Sequence, residues 1–292
     1  MPNFLNRLTL VFLLTWMVSC GKKENKETIL EGKVTIWVDE TVFPVIEDQA
    51  MIFESQYDAK INLEAKSEAE IINALLVDSA QVAILSRNFT PQELKVFSNR
   101  KIIPKVTKFA VDGIALICNK KTGDTLVTLS DVVDFMKGKN VASLKGLAFD
   151  NPNSSTLRYL SDLAGVKSNR AEIYSFHNNA EAIKYVSEND GIVGVIGLNW
   201  LSQPSPEMQP YLEKISVVRV KDKGDYVFPS QNNLGEGKYP LARDLVVANC
   251  QGFSGLGMGF ASFIAGERGQ RIVLKSGLLP ARVPTRKIAI KK

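Results

Sequence analysis

Three short segments of this chain gather hydroxyls and carboxylates where a β-rich run gives way to a helical one. Asp39-Glu40-Thr41 follows the run 33–38, Ser86-Arg87-Asn88 follows 81–85, and Asp150-Asn151-Pro152-Asn153-Ser154-Ser155-Thr156 follows 146–149. In open α/β sheets such loops lie outside the carboxyl ends of the strands, beside helix N-termini whose first N–H groups lack intrahelical acceptors. The chemistry on offer there is recognition of an anion by neutral donors. One serine suffices to cap a helix, so at 154–156 the local sequence leaves capping and anion binding evenly weighted. The sole histidine, His177, stands before Asn178 at a helix start, a solvated setting that disfavours a hydrolytic triad with Ser154 or Ser155, and no catalytic residue is assigned. One histidine and three cysteines are too few for a ligand cluster, so no metal and no cofactor is expected. Glycines 252, 255, 257 and 259 lack a following Gly-Lys-Ser/Thr and read as a turn into a closely packed helix, not a nucleotide loop.

The elements that must position these loops alternate strand with helix, the grammar of an α/β fold with largely parallel sheets. Strands are expected over 33–38, 60–64, 81–85, 109–119, 146–149, 191–197 and 241–249. Capping boxes at Ser67-Glu68-Ala69-Glu70 and Thr90-Pro91-Gln92-Glu93 open helices, the second with proline in its first turn, where a missing N–H costs nothing. Helices are also expected over 44–57, 129–136 and 155–163, from Asn178, and as one long amphipathic stretch over 255–274. The run 109–119 leaves a first lobe and 241–249 returns to it. The expected organisation is a lobe from 33–112 with 241–292 and a second lobe from 113–240. The last residues, 286–292, alternate like an edge strand.

The 292 residues are 45% hydrophobic and 23% charged, ordinary for folded proteins and enough for two lobes with their own cores. A net charge of +5, scattered among 31 acidic residues, gives no support for nucleic acid. Asn6 and Arg7 precede an apolar run over 8–17 of about ten residues, too short for a bilayer core of about 30 Å. Met17-Val18-Ser19-Cys20-Gly21 resembles a bacterial lipobox, so 1–19 reads as a lipoprotein signal peptide, Cys20 as the lipidated first residue and 20–32 as a charged tether. Export permits disulfides, but Cys118 and Cys250 are expected roughly 20 Å apart on neighbouring antiparallel strands, buried and unbridged.

Six further motifs, in order, carry a resemblance that covers nearly the whole mature chain. They are Asp39-Glu40-Thr41-Val42, Val111-Asp112-Gly113-Ile114-Ala115-Leu116-Ile117-Cys118-Asn119, Asn153-Ser154-Ser155-Thr156, Gly191-Ile192-Val193-Gly194-Val195-Ile196-Gly197, Tyr239-Pro240-Leu241-Ala242-Arg243, and Gly269-Gln270-Arg271-Ile272-Val273 with Gly277-Leu278-Leu279-Pro280. Together they resemble the substrate-binding proteins of phosphate-specific ABC transporters, in a branch with modified motifs. The resemblance implies a two-lobe, type II periplasmic-binding clamshell with two crossover strands, in which phosphate is held by neutral donors, an arginine and a carboxylate. By position the phosphate-binding donors are Thr41, Ser86, Ser154, Ser155 and Thr156, with Ser155 replacing a family glycine. Two departures stand out: Ser86-Arg87 where the family has Ser-Asp, and Asp150 where it has arginine. The expectation is a swap, with Arg87 as the cationic fork and Asp150 as acceptor, Asp39 and Glu40 being the other candidate carboxylates. The family's glycine-rich loop after strand two is replaced by Lys66-Ser67-Glu68-Ala69, and Ser67 reads as a helix cap. The implied function is capture of inorganic phosphate, as its mono- or dihydrogen anion, by a monomeric lipid-anchored receptor in the cell envelope that serves an ABC permease. A phosphate sensor without transport and a phosphate-ester hydrolase on the same scaffold are the alternatives.

Overall fold

The computed structural model describes residues 27–123, 125–167, 171–202 and 204–285. The expected signal peptide at 1–19, Cys20 and the expected edge strand at 286–292 lie outside the described residues.

Alternation shapes the first lobe. Strand β1 (Gly32–Asp39) buries Val34, Ile36 and Val38 and exposes Lys33 and Thr35. A single 3-10 turn over Glu40–Val42 leads into α1 (Phe43–Glu54), which has proline in its first turn and buries Val45, Ile46, Ala50 and Phe53. Strand β2 (Ala59–Lys66) is followed by α2 (Glu68–Val77), opened by the expected box: Ser67 Oγ accepts from Glu70 N at 3.4 Å, and Glu70 accepts from Ser67 N at 3.0 Å. Strand β3 (Val82–Leu85) is wholly buried, and Thr90 caps α3 (Pro91–Asn99). The 15-residue β4 (Lys105–Asn119) then leaves the lobe.

The second lobe contains β5 (Leu126–Thr128), α4 (Leu129–Met136), β6 (Gly146–Phe149), α5 (Ser155–Ala164), β7 (Ile173–Ser175), α6 (Asn179–Glu188) and β8 (Ile192–Gly197). Short elements follow: α7 (Asn199–Ser202), α8 (Gln209–Leu212), β9 (Ile215–Val217), β10 (Arg219–Lys221) and α9 (Gln231–Gly235). Strand β11 (Ala242–Asn249) returns to the first lobe, where α10 (Leu256–Ala265), α11 (Glu267–Lys275) and β12 (Leu279–Pro280) complete it.

The strands run in the order β2-β1-β3-β11-β4-β8-β6-β7. The β1–β2, β1–β3, β6–β7 and β6–β8 pairs are parallel, whereas β11 and β4 run antiparallel to their neighbours, so the sheets are mixed where largely parallel ones were expected. Strand β4 serves both lobes: it pairs with β11 as far as Gly113↔Ala242, and from Ile114 it pairs with β8. In the first lobe, Phe53 packs edge-on to Phe260 and Phe263 on one face, while Ile71, Leu75 and Phe97 pack with Val246 and Ala248 on the other.

The single helix expected over 255–274 is two. Gly266 is extended (φ −80°, ψ 171°), and α11 folds back so closely that a Cβ on Gly269 would meet the Ile264 backbone at 2.5 Å. The residues across this break, Gly266-Glu267-Arg268-Gly269-Gln270-Arg271, carry no apolar side chain, so periodicity has nothing there with which to place the turn. The glycine-rich entry is indeed a turn into close packing: Gly255 caps α10, and a Cβ on Gly257 would lie 2.5 Å from Val82. Cys118 and Cys250 are both buried and unbridged, one in the β4 segment that pairs with β8 and β9, the other just past the β11 end that faces Lys105.

Candidate functional site

The ends of β1, β3 and β6 meet between the lobes, where the two crossover strands run beside them. From the first lobe, Asp39 Oδ1 accepts from Thr41 N at 3.1 Å and Thr41 Oγ1 at 2.8 Å, while its Oδ2 accepts from Ser86 Oγ at 2.5 Å. From the second lobe, Ser154 caps α5 by accepting from Leu157 N at 3.2 Å, and its hydroxyl also pairs with Thr156 at 3.0 Å. Ser154 is the cap; Ser155 and Thr156 point their surplus hydroxyls elsewhere. Thr156 donates to Asp150 Oδ1 at 2.8 Å, and Ser155 Oγ lies 3.2 Å from Thr41 Oγ1, a hydrogen bond across the cleft.

The cation in this cluster is Arg243, not Arg87. Arg243 on β11 stands opposite Asp112 on β4, and its Nε and Nη2 donate to Asp112 Oδ2 at 3.0 and 2.9 Å. Its Nη1 donates to Ser155 Oγ at 2.7 Å and its Nη2 to Thr41 Oγ1 at 3.0 Å, so one guanidinium touches both lobes from the hinge strands. Arg243 is 5% exposed and Asp112 is fully buried. Arg87 instead forks onto Glu93 with two 2.8 Å bonds and donates from Nε to Glu68 Oε1 at 3.0 Å. The structure therefore does not pair Arg87 with Asp150. The capping-box glutamate of α3, already placed by Thr90, is within reach of Arg87 and claims it.

Arg243 closes the Tyr239-Pro240-Leu241-Ala242-Arg243 motif, where the sequence alone assigns it no task. The available signal was an arginine in a crossing run that is mostly apolar, with Asp112 in the other: buried ions require partners. Two asparagines were also missed. Asn179 N donates to both Glu40 carboxylate oxygens at 3.2 Å and its Nδ2 bonds Glu40 as well, placing that carboxylate at the N-terminus of α6. Asn199 Nδ2 donates to Thr41 O at 2.7 Å, a further bond between the lobes.

Carboxylates outnumber the cation here. Burial, and then the charge of Asp39, push Asp150 up to about 7; burial, and then Asp150, push Glu40 up to about 8. Burial raises Asp112 too, against the opposing pull of Arg243. Burial works against the charge of Arg243, but Asp112 and then Asp39 outweigh it and hold the guanidinium ionised. His177 is not part of the cluster: its side chain is 90% exposed and bonds Glu181 at 3.0 Å. Among the described residues, no group of three or more His, Cys, Asp or Glu side chains could hold a metal ion, and no helix is long and apolar enough to cross a membrane.

The lobes are joined by two strands, and an arginine and hydroxyls converge between them. The family model for the PBP superfamily domain matches residues 24–268. The chain belongs to the PBP superfamily. Its fold, a two-lobe α/β clamshell of the periplasmic-binding type with two crossover strands, is shared with a Clostridium perfringens protein assigned as a phosphate ABC transporter substrate-binding protein and solved with phosphate bound. That pair is 22% identical with a TM-score of 0.70, over 86% of this chain and 100% of the other. An ABC-type phosphate transport receptor from Vibrio cholerae matches at 17% identity and a TM-score of 0.63, over 84% of this chain and 99% of its own. PstS from Borrelia burgdorferi matches at 20% and 0.52, over 87% and 100%. No curated protein matches the sequence.

Proposed function

We propose that this superfamily member is an exported, lipid-anchored solute-binding protein that captures inorganic phosphate between its lobes and hands it to an ABC permease. The observation that carries the reading is Arg243 reaching Ser155 in one lobe and Thr41 in the other. An oxyanion inserted among these donors accepts from all of them at once, so its binding favours closure. Ser86, Ser154 and Thr156 add hydroxyls at the same strand and helix ends. Hydrogen bonds to a charged group contribute about 1.5 to 3 kcal/mol each, so five or six, less ordering and closure, reach the roughly −8 kcal/mol of micromolar affinity. Likeness to proteins described as phosphate transport receptors supports delivery to a permease, and the Cys20 motif supports the anchor.

The carboxylates give the selectivity. Whichever of Asp150, Glu40 and Asp39 is ionised accepts a hydrogen bond from a phosphate proton, whereas sulfate offers none and meets its charge. The expected outcome of titration calorimetry is a phosphate signal with little or none from sulfate. Ser155→Ala, which leaves the Arg243–Asp112 pair intact, should weaken phosphate by about ten- to a hundredfold. Equal heats for the two anions, or an unchanged Ser155→Ala affinity, would defeat the assignment.

A further inference from the structure

A second set of charges bridges the lobes away from the hydroxyls. Glu68, at the first position of α2, is only 2% exposed. Its Oε1 accepts from Arg87 Nε of its own lobe at 3.0 Å and from Arg158 Nε of α5, in the other lobe, at 2.5 Å. Arg158 Nη2 reaches Glu68 Oε2 at 3.3 Å, and Ala69 N meets Asn153 O at 3.5 Å beside it. The network lines a groove of about 550 Å³ between α2 and α5, so solvent reaches it.

Breaking a buried ion pair is ordinarily expensive because it strands a charge. Here neither partner is stranded. Glu68 retains Arg87, which Glu93 holds in a two-bond fork, and Arg158 retains Asp162 one turn along α5 at 2.8 Å. A bridge whose two halves each keep a partner at home can part and re-form at low cost. Resting on the clamshell reading above, we propose that Glu68 and Arg158 form a reversible latch, outside hydrogen-bond contact with the anion-binding groups, that sets how long the lobes stay closed. This gives Arg87 a task too: it buttresses the latch.

The test compares Glu68→Gln, Arg158→Gln and the double variant with the wild type. Spin labels at the exposed Lys95 and Lys137, one per lobe, read the lobe separation without ligand, and stopped-flow release reads phosphate dissociation. Arg158→Gln is the decisive arm, because Glu68 also adds to the field that keeps Arg243 charged. The expected result is a ligand-free population shifted to longer separations, dissociation faster by about three- to tenfold, and a double variant no worse than either single. Arg158→Lys, which keeps the charge but loses the fork, should lie between. Unchanged separations, even with faster release, would overturn the latch, as would additive effects in the double variant. Wild type that gives no phosphate signal, with separations that still respond to Arg158→Gln, would retire phosphate as the ligand and leave the latch standing.

Discussion

Arg243 and Arg87 are chemically identical, and their neighbours alone assign their tasks. Arg243 sits where a strand partner, Asp112, balances its charge and leaves Nη1 and Nη2 to face hydroxyls. Arg87 is fully committed to Glu68 and Glu93. The hydroxyls themselves were legible, because small polar residues directly after buried strands have few structural uses beyond one cap. Asp150 is the residue on which acidity should register. With its carboxyl near 7, it is mostly protonated at pH 6 and mostly ionised at pH 8, where it accepts a hydrogen bond from a phosphate proton and repels sulfate, which has none. Wild-type preference for phosphate over sulfate should therefore rise over that interval more steeply than that of Asp150→Asn. The ligand's own ionisation is common to both proteins, so the difference between two calorimetric pH series isolates the residue. Parallel series would remove Asp150 from contact with the anion.

Elements decide how near the lobes can come. At the end of β8, Gly197 is so close to the first lobe that a Cβ there would run into the Thr41 carbonyl oxygen, and it would lie 2.9 Å from Nδ2 of Asn199, which bonds the same oxygen. Gly197→Ala should fold, since the added methyl meets the Thr41 backbone where the lobes touch and not a packed hydrophobic side chain, but hold the cleft ajar. The expected loss in phosphate affinity is about tenfold or more, with only a small change in melting temperature; unchanged affinity would mean the cleft does not close as far as these contacts imply. Helix starts were legible for a local reason: at 67–70 and 90–93, cap and reciprocal glutamate lie within one turn. The break at Gly266 was not, because what enforces it is the approach of Gly269 to Ile264, a contact made only after α11 has turned.

For the molecule as a whole, the cleft makes stability depend on pH. Asp150 and Glu40 are raised in the folded state, from 3.8 to about 7 and from 4.5 to about 8, so the folded chain holds protons that the unfolded chain has released. The unfolded state then binds fewer protons, and stability falls as pH rises from about 4 towards 8. Glu70 and Glu93 are lowered and act in the opposite sense, but that gain is complete once pH passes above the ordinary glutamate range, so it changes little between pH 5 and pH 8. Without ligand, the melting temperature should be several degrees higher at pH 5 than at pH 8. A flat or rising profile over that interval would show that the buried carboxylates are ionised throughout.

Strand and helix order, the crossing runs and the hydroxyl loops at strand ends were determined by the sequence alone, because they rest on periodicity, caps and turn chemistry spanning a few residues. Which arginine serves the cleft, which acid opposes which, and where the lobes touch were decided by tertiary structure. Those pairings join residues such as Thr41 and Ser155, or Glu68 and Arg158, separated by 114 and 90 positions, and local preference carries no information about them. Only burial, which forces every ion and hydroxyl to find a partner, selects them.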